Sequence, residues 1–334
     1  MADTASILQE DSKKSGEALA AINPKLALIS EKIKEFDVKP GKVYFLDKEG
    51  NNIDEGRCDD GKLKVPKGTK TIISNGPLRI NGDIKNIDAD KNINRIAVFA
   101  KGSVNVNGSA IDSQIIASGD VAIRENASGE ITAGGNIAVK RTLLGDIAAR
   151  GSVFANATNE YTKIVARRDV TILAGAHGQI WTEGNFSTKG AIYGKISLDA
   201  YGEVIAGGSI TAVETRFGPQ ITARENILIK EIKSGEISAG KSILTDYIHP
   251  DAKIDTPQLF LKKGADKPKN FQGEIIEIPK AELEKLIPLP SKENVKALED
   301  FRIIVGGTYT HASKVDLIHL KPTPSKTQDT QRQK

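Results

Sequence analysis

Apolar, small and polar positions recur at a fixed spacing over the middle of the chain. Aligned on the small residue, ten copies read Ala100, Ala117, Ala133, Ala149, Ala166, Thr182, Ala206, Ala223, Ala239 and Thr256, at steps of 17, 16, 16, 17, 16, 24, 17, 16 and 17 residues. Two positions before each stands Val or Ile, from Val98 and Ile115 to Ile254. Each copy therefore holds an apolar-x-small strand with one face turned inward. Three positions after the small residue the chain turns polar, with Ser103, Asp120, Asn136, Ser152, Asp169, Asn185, Ser209, Asn226 and Ser242, most of them preceded by Gly. These read as corners, where Gly relaxes the backbone and Ser, Asn and Asp bond the bend. A second strand begins directly after, at Val104, Val121, Ile137, Val153, Val170 and Phe186, and recurring Gly129, Gly145, Gly178, Gly202 and Gly235 mark a third edge.

A period of 16–17 with three short strands and a Gly or polar residue at each corner predicts an all-β solenoid, a parallel β-helix of about ten coils. A leucine-rich repeat needs a Leu ladder, a propeller blade about 40 residues, and a helical repeat a period of 3.6. At roughly 4.8 Å per coil the rod is on the order of 50 Å long. Its hand is expected to be right, by the crossover rule for parallel strands.

The flanks read differently. Residues 1–36 predict helix in two pieces, with Asn23 as cap, Pro24 in the first turn, and Leu26, Ile29, Ile33 and Phe36 on one face, which packs on the rod or its end. Residues 37–71 predict a small β cap, with Val43–Leu46, a turn at Lys48–Asn51, and Leu63 and Val65 beyond. The β-helix is assigned to 72–264, with Ile72-Ile73-Ser74 as its first coil and the frame fading after Thr256. A small α+β cap covers 265–320, with short helices over 280–300 and a hairpin over 302–320. A basic tail, 321–334, is expected to be disordered. The long steps 74–100 and 182–206 predict surface loops.

Composition narrows the chemistry. Net charge is +4, of which the tail supplies +3, so the body offers no electrostatic case for nucleic acid. The single Cys58 excludes an internal disulfide and any multi-cysteine metal site. No start like a signal peptide and no 18-residue apolar run occurs, which predicts a cytoplasmic protein.

Candidate motifs dissolve into the repeat. Gly235–Ser242 matches the phosphate-loop pattern G-x-x-x-x-G-K-S, but the same frame recurs at Gly129–Asn136, and strand rather than helix follows. His177, His249, His311 and His319 are scattered and make a poor metal set. Asp120 and Asp169 lie three coils apart, roughly 14 Å, too far for paired acid–base work, and read as corner residues capping their own turns. Trp181 and Phe186 read as coil packing, and Cys58 as a bystander. The sequence thus assigns no catalytic, cofactor-binding or metal-binding residue, no cofactor and no small-molecule substrate.

Phrases such as Ser128-Gly129-Glu130-Ile131-Thr132-Ala133-Gly134-Gly135-Asn136-Ile137 and Val204-Ile205-Ala206-Gly207-Gly208-Ser209-Ile210 resemble the β-solenoid of the bacterial flagellar assembly protein A family. More loosely, they are similar to bactofilins, which form cytoskeletal polymers, and to the C-terminal β-helix of the division inhibitor MinC. The likeness covers roughly residues 72–256. With a regular coil and no constellation of reactive groups, the expected function is a non-enzymatic scaffold, cytoskeletal or assembly-related as the resemblance implies, with protein partners or self-association, cytoplasmic in a bacterium; the apolar face of the N-terminal helix offers a dimer or membrane-surface contact as the alternative to packing on the rod. The alternatives are a surface or phage-type β-helical adhesin or fibre, and then a carbohydrate-active enzyme.

Overall fold

Each strand of the repeat pairs in register and in parallel with its copy one coil on: Val98 with Ile115, Ile115 with Ile131, Ile147 with Ile164, Ile221 with Ile237. The computed structural model describes residues 16–282, except 18, 62, 86–94, 195–201, 269–270 and 281. Over these residues the chain is a parallel β-solenoid of about eleven turns with one short helix. The eleventh turn is the coil begun by Thr71–Ser74, which pairs in parallel with Ile96–Ala100. The helices and hairpin expected over 283–320, the tail, and the centres of both inserted loops lie outside the described residues.

Three strand columns enclose the core. On the first face the apolar and small columns both point inward, and from Ile72 to Ile237 the apolar one is at most 2% exposed. The second face adds pairs such as Val121 and Ile123, and the third face adds Ala110, Ala127, Leu143 and Ala176. β-Branched residues dominate because a stacked strand favours a stiff, branched side chain.

The corners work differently from their sequence reading. The polar residue of one coil bonds the bend of the next rather than its own. The backbone N–H of Asn136 donates to Asp120 Oδ1 at 2.6 Å, that of Ser152 to Asn136 Oδ1 at 2.8 Å, and that of Ser209 to Asn185 Oδ1 at 2.9 Å. Apart from Gly102, at φ +146°, the preceding glycines make room for this ladder instead of supplying unusual torsions. A Cβ on Gly135 would sit 2.2 Å from Asp120 Oδ1, and one on Gly151 2.3 Å from Asn136 Oδ1. Left-handed backbone appears instead at the third edge, where Gly145 has φ +94° and a Cβ would lie 2.0 Å from the Gly129 carbonyl oxygen below.

The N-terminal end is closed by a hairpin. Strand β1 (Lys42–Leu46) lies antiparallel to β2 (Asn52–Arg57) on one side and to β3 (Thr71–Ser74) on the other. β1 places Val43 and Phe45 over the open core and turns Tyr44 and Leu46 outward. The exposed, charged β2 becomes the edge of the first-face sheet, which blunts it as a template for further strands. Cys58 is a working part of this cap: it is buried, with Sγ 3.2 Å from Ser74 Oγ.

At the other end the frame continues one strand past its expected decay. Glu274–Ile278 stacks in parallel on Gln258–Lys262, and Phe271 packs against the core there. Pro257 does not interrupt the stack, although it stands where Arg224 and Gly240 donate their N–H to Ala206 and Ala223 one coil below and has none to give.

Helix α1 (Ile22–Glu35) lies on the outer side of the first face. The outward column there reads Ile73, Phe99, Ile116, and these pack with Ile29, Leu26, Ile33 and Phe36. Asn23 is inside the helix rather than at its cap. The cap position is Ala21, without a side-chain bond, and Asn23 Oδ1 accepts instead from the Arg150 guanidinium on the fifth coil. Lys25 pairs with Glu130 at 2.7 Å on the fourth. The helix ends with Asp37 at φ +47° and the N–H of Val38 donating to the Ile33 carbonyl, a left-handed closure that sends buried Val38 back under the helix.

Removing one rung of the corner ladder tests its weight. Asn136→Ala is expected to lower stability by about 1–2 kcal/mol, because it leaves the Ser152 N–H without its acceptor. Asn136→Ser, which keeps a hydroxyl acceptor, should lose less. Equal denaturant midpoints for the alanine variant and the parent chain would show that the ladder is decoration.

Candidate interaction surface

The residues singled out from the sequence are dispersed by the fold into structural roles. Gly235–Ser242 runs as strand Glu236–Ala239, a corner, and strand Ser242–Thr245. Lys241 pairs with Glu225 at 3.2 Å, and the Ser242 hydroxyl donates to Asn226 Oδ1, so neither is held for a phosphate. Asp120 and Asp169 each accept the amide of the following coil. His249 Nδ1 faces Asp251, while His311 and His319 lie outside the described residues. Among the described residues there is no group of three His, Cys, Asp or Glu side chains placed to hold a metal.

Phe186 is core packing, wholly buried in the second-face column. Trp181 is not. It occupies the outward position of its strand, in register between Val165 and Ile205, half-buried, with its indole N–H covered and without a hydrogen-bond partner. It thus prolongs the column whose first three members α1 covers.

The residues that the strand and corner columns did not reveal are aromatic. His177 and Tyr193 stack with ring centres 4.0 Å apart and planes 4° from parallel, and Phe217 follows at 6.2 Å from Tyr193. Their spacings of 16 and 24 residues are the steps of the small column itself, so His177, Tyr193 and Phe217 each stand 11 positions after a small residue, Ala166, Thr182 and Ala206. Phe217 is 60% exposed and holds a left-handed φ of +61°, a conformation a bulky residue adopts only when its surroundings impose it. Gly194 lies directly beneath that turn: a Cβ there would meet the Phe217 carbonyl oxygen at 2.1 Å. Tyr161, 65% exposed, stands out from a neighbouring coil.

Beside the stack, Glu214 is gripped by Lys233 and Arg216. The Lys233 bond, helped by Arg216, holds the Glu214 carboxyl below the usual carboxylate range despite partial burial. Burial depresses His177, with only Glu160 pulling the other way, and its Nδ1 is covered and has no partner. Tyr, Phe and Arg are among the residue types enriched in protein contact surfaces.

No family model, no curated protein and no solved structure matches the chain. Among the described residues no helix is long and apolar enough to cross a membrane.

The depressed His177 sets a sign. The unfolded chain takes up its imidazole proton near the ordinary value of 6.5, before the folded one does, so this contribution is complete above that pH and is lost as pH falls below it. His177→Phe, which keeps the stack without the titration, should flatten the drop in denaturant midpoint between neutral and mildly acidic buffer. An unchanged slope would show that His177 does not titrate against the fold.

Proposed function

We propose that this chain is a non-enzymatic scaffold of bacterial type, a rod that presents its faces to protein partners. The observation that carries the reading is the use to which the corner side chains are put. Ser, Asn and Asp, the residues most able to do chemistry on a β-helix face, are spent on bonds between successive coils. What remains outward is a set of long, straight surfaces, with an exposed aromatic ridge at Tyr161 and Phe217. Such a body is suited to holding partners at fixed spacing along its axis. A cytoskeletal or flagellar-assembly role is the form of scaffold suggested by the sequence resemblance.

The hairpin over the first coil favours a discrete rod over a polymer. Light scattering and negative-stain microscopy of the full-length chain are expected to give short particles of one length. Filaments would overturn the capped reading and favour a polymer-forming role. Removing residues 1–70 uncovers the edge of β3 and should raise self-association above that of the full chain. Capture experiments with Tyr161→Ala and Phe217→Ala variants test the aromatic ridge: retention of every partner by both variants would remove it from the contact surface.

A further inference from the structure

The edge of the rod that follows the second face carries a row of cations over seven coils, ended one coil after Lys230 by Asp246, which is itself engaged. The residue after the last inward position of each second-face strand reads Arg124, Lys140, Asn156, Leu173, Lys189, Val213 and Lys230 over consecutive coils. At roughly 4.8 Å per coil the row runs straight for about 30 Å. Arg124, Lys140 and Lys230 are exposed and Lys189 is half-buried, and none of the four has an ion pair among the described residues. The nearest acids are already engaged: Glu125 with Arg141 at 2.7 Å, Glu214 with Lys233 and Arg216, and Glu231 with Lys233 at 3.4 Å. The opposite edge of the same face also has unpaired cations, at Lys101, Arg168 and Arg224, but the ladder carboxylates Asp120 and Asp169 lie among them.

We propose that this edge docks the rod lengthwise on an anionic lipid surface. Three features select a bilayer over other polyanions. The row is straight, so it can meet a plane along its whole length, whereas the phosphate backbones of a duplex wind away from it around the duplex axis. It is rich in lysine, whose compact charge suits headgroups without demanding a paired geometry. Half-exposed Leu173 and Val213 lie between the cations, and Tyr247, 39% exposed, stands one coil beyond Glu231 on the same edge. Apolar and aromatic side chains among lysines are what an interfacial contact uses. The N-terminal helix, which offered a membrane contact as the alternative to packing on the rod, has its apolar face on Ile73, Phe99 and Ile116 and is not free to make one. This inference stands independently of the scaffold reading.

The test is co-sedimentation of the full-length protein with phosphatidylcholine vesicles, with and without phosphatidylserine, at low and high salt. Binding is expected only with phosphatidylserine and should fall as salt rises. Replacing Lys140, Lys189 and Lys230 by Gln should weaken partition roughly a hundredfold, at about fivefold for each cation. A control triple, K241Q/K253Q/K267Q, removes the same charge from paired sites elsewhere on the rod and should bind nearly as the parent does. The proposal is overturned if phosphatidylserine gives no binding, if both triples lose it equally, or if duplex DNA is bound and vesicles are not. All six substituted side chains are on the surface, and unchanged circular dichroism confirms that each variant folds.

Discussion

The corner amide accepted by a side chain one coil below is the interaction on which the rest of this structure depends. Strand pairing alone would stack coils but would leave the bends between strands free to slide. The ladder through Ser103, Asp120, Asn136 and Ser152 fixes each bend to the next and so fixes the register of every strand that follows. It also explains the sequence around it. Gly135, Gly151, Gly184 and Gly208 precede their polar residues where a Cβ would strike the carboxylate or amide rising from Asp120, Asn136, Asp169 and Asn185 below.

From that constraint the surface follows. With corners committed to the stack and inward positions to Ile, Val and Ala, only the outward strand positions and the residues beside the corners are free to differ. The chain uses this freedom in blocks. The first-face outward column is apolar under α1, the second-face edge is cationic, and the third edge carries the stack of His177, Tyr193 and Phe217. Each block gives the rod a side that can be told from the others.

The coil architecture was legible because it repeats. A column such as Val98, Ile115, Ile131 and Ile147 announces both period and orientation, and the structure pairs those residues as the alignment does. The reason for the corner glycines was not legible, since a glycine needed for space and one needed for torsion are written alike. Asn23 misled for a related reason: it precedes a proline as a cap would, but its partner is Arg150, 127 residues away. The aromatic stack was equally legible, since His177, Tyr193 and Phe217 each stand 11 positions after a small residue, but only the strand and corner columns were followed. Trp181 and Val165 could have been read as outward from their odd position in the strand, had the column beside the small residue been followed as closely as the small residue itself.

The clasp between α1 and the rod has a consequence for the order in which the molecule is made. A solenoid grows by local contacts and can add each coil as its residues emerge. The helix cannot join in that order. Its sequence is synthesised first, yet its seat is assembled from Ile73, Phe99 and Ile116, and its polar fastenings to Glu130 and Arg150 come only with the fourth and fifth coils. Until then an amphipathic segment waits beside a half-built sheet with its apolar face uncovered. Its docking then bridges β1 and the first five coils, joining a cap and a run of near-neighbour units into one cooperative block at the N-terminal end of the rod.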